Sequence, residues 1–201
     1  TTTGTTLVSS AFDSIGRPST YTYSSGVVST QTYDTFGRPN GITHANGATT
    51  LMSDAVTRDL SGRVVDQTLD WQDANPSGAN FTYDNAGRLT GWYVKDPSTS
   101  TVYRGEEKYG SYTGGAPSAC AGNGWGNATT AGLNSNRLES TLQVNGGSTA
   151  TTKYCYDHAD RLQEVITPGG QANPYAAGFA YDAHGNATAV GTEERVYDGA
   201  D

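Results

Sequence analysis

Long apolar runs are absent. No stretch of the 201 residues approaches the roughly 20 needed to cross a bilayer as a helix, and none reads as a signal peptide, so any targeting information is expected elsewhere in a longer parent. Basic charge is scarce as well. Twelve Lys and Arg stand against 20 Asp and Glu, giving a net charge of −8 with no basic cluster. Gripping a phosphate backbone requires such clusters, so nucleic acid is not an expected partner. Two cysteines with neither a second pair nor a neighbouring His exclude a zinc-type site. The three histidines, His44, His158 and His184, fall at or near turns and read as exposed turn residues. No Gly-x-Ser-x-Gly elbow occurs, and Glu106-Glu107 and Glu193-Glu194 would face opposite sides of a strand. No catalytic residue, metal ligand or cofactor is assigned.

What is present is a repeat. Phe12-Asp13-Ser14-Ile15-Gly16-Arg17, Tyr33-Asp34-Thr35-Phe36-Gly37-Arg38, Arg58-Asp59-Leu60-Ser61-Gly62-Arg63, Tyr83-Asp84-Asn85-Ala86-Gly87-Arg88, Tyr156-Asp157-His158-Ala159-Asp160-Arg161 and Tyr181-Asp182-Ala183-His184-Gly185-Asn186 are versions of one phrase. The Asp positions step by 21, 25 and 25 residues from Asp13 to Asp84, and by 25 from Asp157 to Asp182. A period of that length is one hairpin-sized unit, and self-similarity decides architecture before any single residue does. Asp opening a type I turn accepts hydrogen bonds from backbone N–H groups ahead of it, and Gly at the fourth position supplies the left-handed conformation that closes the turn as a bulge. Asp13, Gly16, Asp34, Gly37, Asp59, Gly62, Asp84, Gly87, Asp157, Asp182 and Gly185 are therefore read as turn chemistry, which already accounts for the aspartates without calcium.

Between these turns lie strand-like runs such as Tyr21-Thr22-Tyr23, Val27-Val28-Ser29-Thr30-Gln31-Thr32-Tyr33 and Arg63-Val64-Val65-Asp66-Gln67-Thr68-Leu69. Second turn signals alternate with the first, at Ser24-Ser25-Gly26, Asn46-Gly47, Asn145-Gly146-Gly147 and Pro168-Gly169-Gly170. The fold class is thus all-β: repeated antiparallel hairpins forming a curved, spiralling sheet or a section of a hollow β-shell or barrel. A hairpin cannot bury both faces alone, so each unit depends on its neighbours. With 26 Gly, 34% hydrophobic residues and no break in composition, residues 1–201 are read as one array of about eight units. A degenerate or inserted unit is expected at about 96–135. Asn136-Arg137-Leu138 would close it, with Leu133 in the Asp position.

The motif Tyr-Asp-x-x-Gly-Arg-Leu, clearest in Tyr83-Asp84-Asn85-Ala86-Gly87-Arg88-Leu89, resembles the YD repeat of the RHS-repeat family, and the likeness runs along nearly the whole chain. The resemblance implies a hairpin strip wound into a hollow shell. In bacterial toxins that shell encloses a C-terminal effector; in teneurins it forms a barrel within an adhesion protein. It implies a non-catalytic structural module, secreted or at the bacterial cell surface, whose partner is the remainder of its own polypeptide and the enclosed effector. The alternative is a carbohydrate- or cell-surface-binding adhesion module. The chain lacks a starting Met and breaks off within Val196-Tyr197-Asp198-Gly199-Ala200-Asp201, before the next Arg is due, so it is expected to be a piece of a longer protein. Unpaired strand edges would then favour self-association.

The Gly- and aromatic-rich stretch around Tyr109, Tyr112 and Trp125 reads as a long loop, and such loops are often functional. Those three aromatics could stack on a sugar, or Trp125 could plug the sheet, as large aromatics usually bury most of their area. Cys120 and Cys155 are expected to form a disulfide, which a secreted context permits and which would tether the insertion; two free thiols are the alternative. Arg17, Arg38, Arg63, Arg88 and Arg161 are expected to pair with turn carboxylates of adjacent units. The glycosylation triplets at Asn80, Asn127 and Asn186 are incidental in a bacterial protein.

Overall fold

The computed structural model describes residues 7–110, 120, 136–169 and 172–198. Every element with described bounds is a β-strand and every described pairing is antiparallel. The all-β expectation therefore holds. The chain divides into two compact units, Thr1–Tyr83 with Trp92–Val102, and Asp84–Gly91 with Tyr103–Asp201.

The first sheet is a meander in chain order: β1 (Val8–Phe12), β2 (Pro18–Tyr23), β3 (Val27–Tyr33), β4 (Pro39–Asn46), β5 (Thr49–Arg58), β6 (Val64–Leu69) and β7 (Gln72–Asp73). The second contains β8 (Phe81–Tyr83), β9 (Leu89–Lys95), β10 (Val102–Tyr109), β11 (Arg137–Val144), β12 (Ala150–Tyr156) and β13 (Leu162–Ile166), again each beside the next. The third holds β14 (Phe179–Tyr181), β15 (Ala187–Val190) and β16 (Glu193–Glu194).

Two kinds of turn alternate. At the motif turns the register shifts by one residue just before the Asp, at Ala11/Phe12, Thr32/Tyr33, Thr57/Arg58, Cys155/Tyr156 and Ala180/Tyr181. That shift is the bulge that a three-residue hairpin loop with a left-handed last residue requires. The opposite hairpin ends are more varied. They turn at Gly26, at Gly47, at Asn145 with Gly146, and at Asp70 with Trp71, where two non-glycine residues take φ of 48° and 61°.

The meander leaves most strand residues half-buried. In the first sheet one face carries small side chains directly opposed across four strands, Thr20, Thr30, Thr43 and Ser53. The face alternating with it carries Ser29, Gln31, Ile42 and Asp54. The buried hydrophobic residues among those described are Cys120, Leu138, Cys155 and Val165, so the densest core lies in the second unit on β11–β13. His44 departs from the turn reading: it lies within β4, opposite Ser29 and Met52, and is half-buried, whereas His158 and His184 are exposed in their turns.

The motif glycines separate two costs of adding a Cβ. Gly16 has φ +83° and open space around it, so Gly16→Ala is expected to cost only left-handed strain, about 1 kcal/mol. Gly62 has φ +89° and its Cβ would lie 3.1 Å from Arg38 Nη1, so Gly62→Ala should cost more. Urea unfolding of both variants checks the order.

Candidate functional site

The repeated feature with the most chemistry is the turn itself, and it is built the same way each time. In the Tyr83-Asp84-Asn85-Ala86-Gly87-Arg88 turn, Asp84 Oδ1 accepts from the backbone N–H of Ala86 and of Arg88, both at 2.9 Å. Its Oδ2 accepts from Arg88 Nε at 2.7 Å. The backbone closes the loop with Asp84 N–H donating to Arg88 O and Gly87 N–H to Asp84 O. Asp13, Asp34, Asp59 and Asp157 repeat the link from their Oδ2 to the arginine four residues on, at 2.6–2.7 Å. The arginines therefore pair with the aspartate of their own turn, not with that of an adjacent unit: Nε is four residues away on the same bulged loop and arrives without a search.

Two turns show what the pattern tolerates. Asn186 replaces Arg and donates Nδ2 to Asp182 Oδ2 at 3.1 Å, keeping the hydrogen bond without the charge. Asp160 stands in the glycine slot at φ 60°, a conformation Asp adopts more readily than most residues.

The link between units comes from the aromatic residue. Arg17 lies over the ring of Tyr33, Arg63 over Tyr83, and Arg161 over Tyr181, at 4.1, 4.8 and 5.0 Å from the ring centroid. Each of these tyrosines donates its hydroxyl to the carbonyl just past that arginine. Tyr33 reaches Pro18 O at 2.8 Å, Tyr83 reaches Val64 O at 2.8 Å, and Tyr181 reaches Leu162 O at 2.6 Å. Cation–π contact and a phenol hydrogen bond thus fasten these three turns to the ones before. Where the motif has Arg58 in place of Tyr, its guanidinium takes over the reach and donates to Pro39 O, while Arg38 lies over Phe36 of its own turn. An open groove of about 330 Å³ beside it is lined by Gln31, Ile42, Asp54, Val56 and Arg58.

The carboxylates of these turns are held below the usual value of 3.8. At Asp13 and Asp84 the largest cause is the backbone hydrogen bond from the arginine four residues on, helped by its side chain. At Asp34, Asp59, Asp157 and Asp182 desolvation pushes upward, and the combined hydrogen bonds to the ionised form outweigh it.

Cys120 and Cys155 are joined by a disulfide, with Cα atoms 5.2 Å apart and both residues buried. Beside Cys155, β11 carries a group that sequence reading missed. Glu139 is 1% exposed and stands between Lys108 and Lys153, whose Nζ atoms lie 3.4 and 3.8 Å from its two oxygens. The three residues are directly opposed in register across β10, β11 and β12. A carboxylate buried there is compensated by flanking ammonium groups. Glu106 and Glu107 do separate, the first pairing with Arg104 and the second with Arg137 and Ser140. Among the described residues no group of three or more His, Cys, Asp or Glu could hold a metal ion.

Of the proposed ligand-contact aromatics, Tyr112 and Trp125 lie outside the described residues, as do Leu133 and Asn127. Tyr109 has one ring face covered by Arg88, 4.3 Å from the centroid, the same cation–π contact that Arg17 makes with Tyr33. Asn80 is 3% exposed, which removes it as a glycan acceptor.

Residues 12–49 match the RHS Repeat family model. No curated protein matches the chain. Among solved structures it is similar to the crystal structure of TcdB2-TccC3-Cdc42, at TM-score 0.50 and 13% identity, covering 100% of this chain and 11% of that one. It is also similar to TcdB2-TccC3 without its hypervariable C-terminal region, at TM-score 0.51 and 13% identity, over 97% of this chain and 10% of that one. A Photorhabdus luminescens Tc holotoxin pore matches at TM-score 0.51 and 13% identity, over 96% and 10%. The chain spans about a tenth of the length of these structures, and the likeness is one of fold. Together with the repeat match, it shows the resemblance to RHS repeats and supports a structural repeat module.

Two measurements test the arrangement. Because the turn carboxylates are more acidic folded than unfolded, their stabilisation is complete above 3.8 and lost as pH falls through the lowered folded values. Tm should hold steady from pH 7 to about 5 and fall below 3.8, less steeply in Asp84→Asn. The disulfide closes a loop with a separation of 35 residues. Unfolded, unreduced protein should show no free thiol, and reduction should cost about 4 kcal/mol in the chain-entropy account.

Proposed function

We propose that the chain is a section of an RHS/YD-repeat shell that encloses a C-terminal toxin or effector segment of its own polypeptide, and that it acts by geometry, without turnover. Residues 1–201 are read as one array of about eight units, part of a longer protein that is secreted or displayed at the bacterial cell surface. The observation that carries this reading is the turn-to-turn link: in three pairs of units an arginine on an aromatic ring and a donated phenol proton fasten one unit to its predecessor, as Arg63, Tyr83 and Val64 show, and Arg58 makes the reach in a fourth. Such a unit adds indefinitely, which suits a wall and leaves no need for a pocket. The acidic balance of −8 fits a lumen or exterior that does not hold nucleic acid.

The RHS match supports the reading, as does the likeness to structures with TccC3 in their names. Of the three aromatics proposed to contact a sugar, the described one, Tyr109, has a ring face engaged by Arg88.

The test is limited proteolysis with mass analysis on the native full-length polypeptide. A segment downstream of the array is expected to survive while exposed loops are cut, and to become digestible once the array is unfolded. Digestion of that segment at the same rate with or without the folded array would overturn the proposal.

A further inference from the structure

Asn80, immediately before β8, makes two hydrogen bonds to neighbouring strands. Its Nδ2 donates to Gln67 O on β6 at 2.7 Å, and its backbone carbonyl accepts from Tyr93 N–H on β9 at 2.8 Å. The first of these bonds fixes which way the amide points, so Oδ1 is directed away from Gln67. That oxygen is shielded from solvent and receives no hydrogen bond from any described residue, and the same is true of Gln72 Oε1 on β7. Both side chains line one niche of about 50 Å³, with Leu69, Tyr93 and Lys95 among its walls, all within the first unit. Two buried acceptors on a single small niche are costly unless a donor serves both.

We infer that this niche is a binding site for one internal water molecule, which donates one proton to Asn80 Oδ1 and the other to Gln72 Oε1. Water has two donors, the number the site requires, and the niche exceeds the roughly 10–15 Å³ that a water needs. A metal cation fits poorly: the two orphan oxygens are neutral amides, no carboxylate lines the niche, Lys95 brings positive charge to its wall, and calcium takes about 6–8 oxygen ligands. The water ties β7 to the residue that opens β8 and so fastens both ends of residues 73–80.

The test is a high-resolution crystal structure of a polypeptide containing the segment, with Gln72→Met and Lys95→Met variants. The expected result is one density peak within about 3.2 Å of both oxygens, retained in Lys95→Met, lost in Gln72→Met, and Tm lowered by about 2–4 °C in Gln72→Met. A niche without density in the unaltered protein overturns the inference. So does a peak with metal-like distances near 2.4 Å, or a Lys95 ammonium sitting between the two oxygens. The unaltered protein decides even if a variant fails to fold.

Discussion

Everything regular in this protein depends on one carboxylate accepting three hydrogen bonds in a five-residue loop. Asp84 caps two backbone N–H groups with one oxygen and fixes the Arg88 guanidinium with the other. Holding Nε leaves the far side of the guanidinium to project past the turn. In one pair of turns that projection ends on a carbonyl, with Arg38 Nη1 donating to Asp59 O, and in others on an aromatic face, with Arg17 over Tyr33. A local interaction between residues four apart therefore prepares a contact between residues about 20 apart. The entropy of ordering a long arginine is met once, inside the turn, before the next strand arrives.

The turn chemistry was legible because its causes are local. Asp, then Gly or Asp at the fourth position, then Arg, specify a bulged hairpin from the sequence alone, and the register shifts lie where that chemistry puts them. What the residues past the turn do was less legible. The arginines were expected to reach a neighbouring carboxylate, since opposite charges attract at any distance; adjacency in the chain wins because the shorter loop has less entropy to lose. The tyrosine hydroxyl bonds, the substitution of Arg58 for a tyrosine and the row Lys108, Glu139, Lys153 depend on register between residues distant in the chain. No single segment carries that information. Glu139 in particular looks like any polar strand residue until its two neighbours are known.

The two units also rely on different means. In the first, small hydroxyl side chains fill one sheet face and half-buried residues the other, so order rests on backbone pairing and turn links. In the second, β11–β13 carry the buried Leu138, Cys155 and Val165, and the bond to Cys120 reinforces them. The Glu139 carboxylate is buried on β11 with ammonium groups on either side, and as a compensated buried charge it penalises any slip in strand register.

The turn links have a consequence for how such a chain can change in length. The tyrosine-to-carbonyl reach spans 10 residues at Tyr197, 15 at Tyr33 and 19 at Tyr83, Tyr156 and Tyr181, and 19 again where Arg58 takes the tyrosine's place. Between the Tyr33 hairpin and the longer ones the difference, 19 − 15 = 4 residues, is what two extra residues on each of two strands provide. Addition in matched pairs preserves the alternation of faces, and it is absorbed at the hairpin end away from the aspartate. Within each such hairpin the aspartate end is therefore a datum and the opposite end is free to lengthen, as with a comb whose spine is fixed and whose teeth can be cut to any length. A change of length is thus accommodated at the end away from the aspartate, and in the β6–β7 hairpin that end is where Trp71 stands exposed on its own turn.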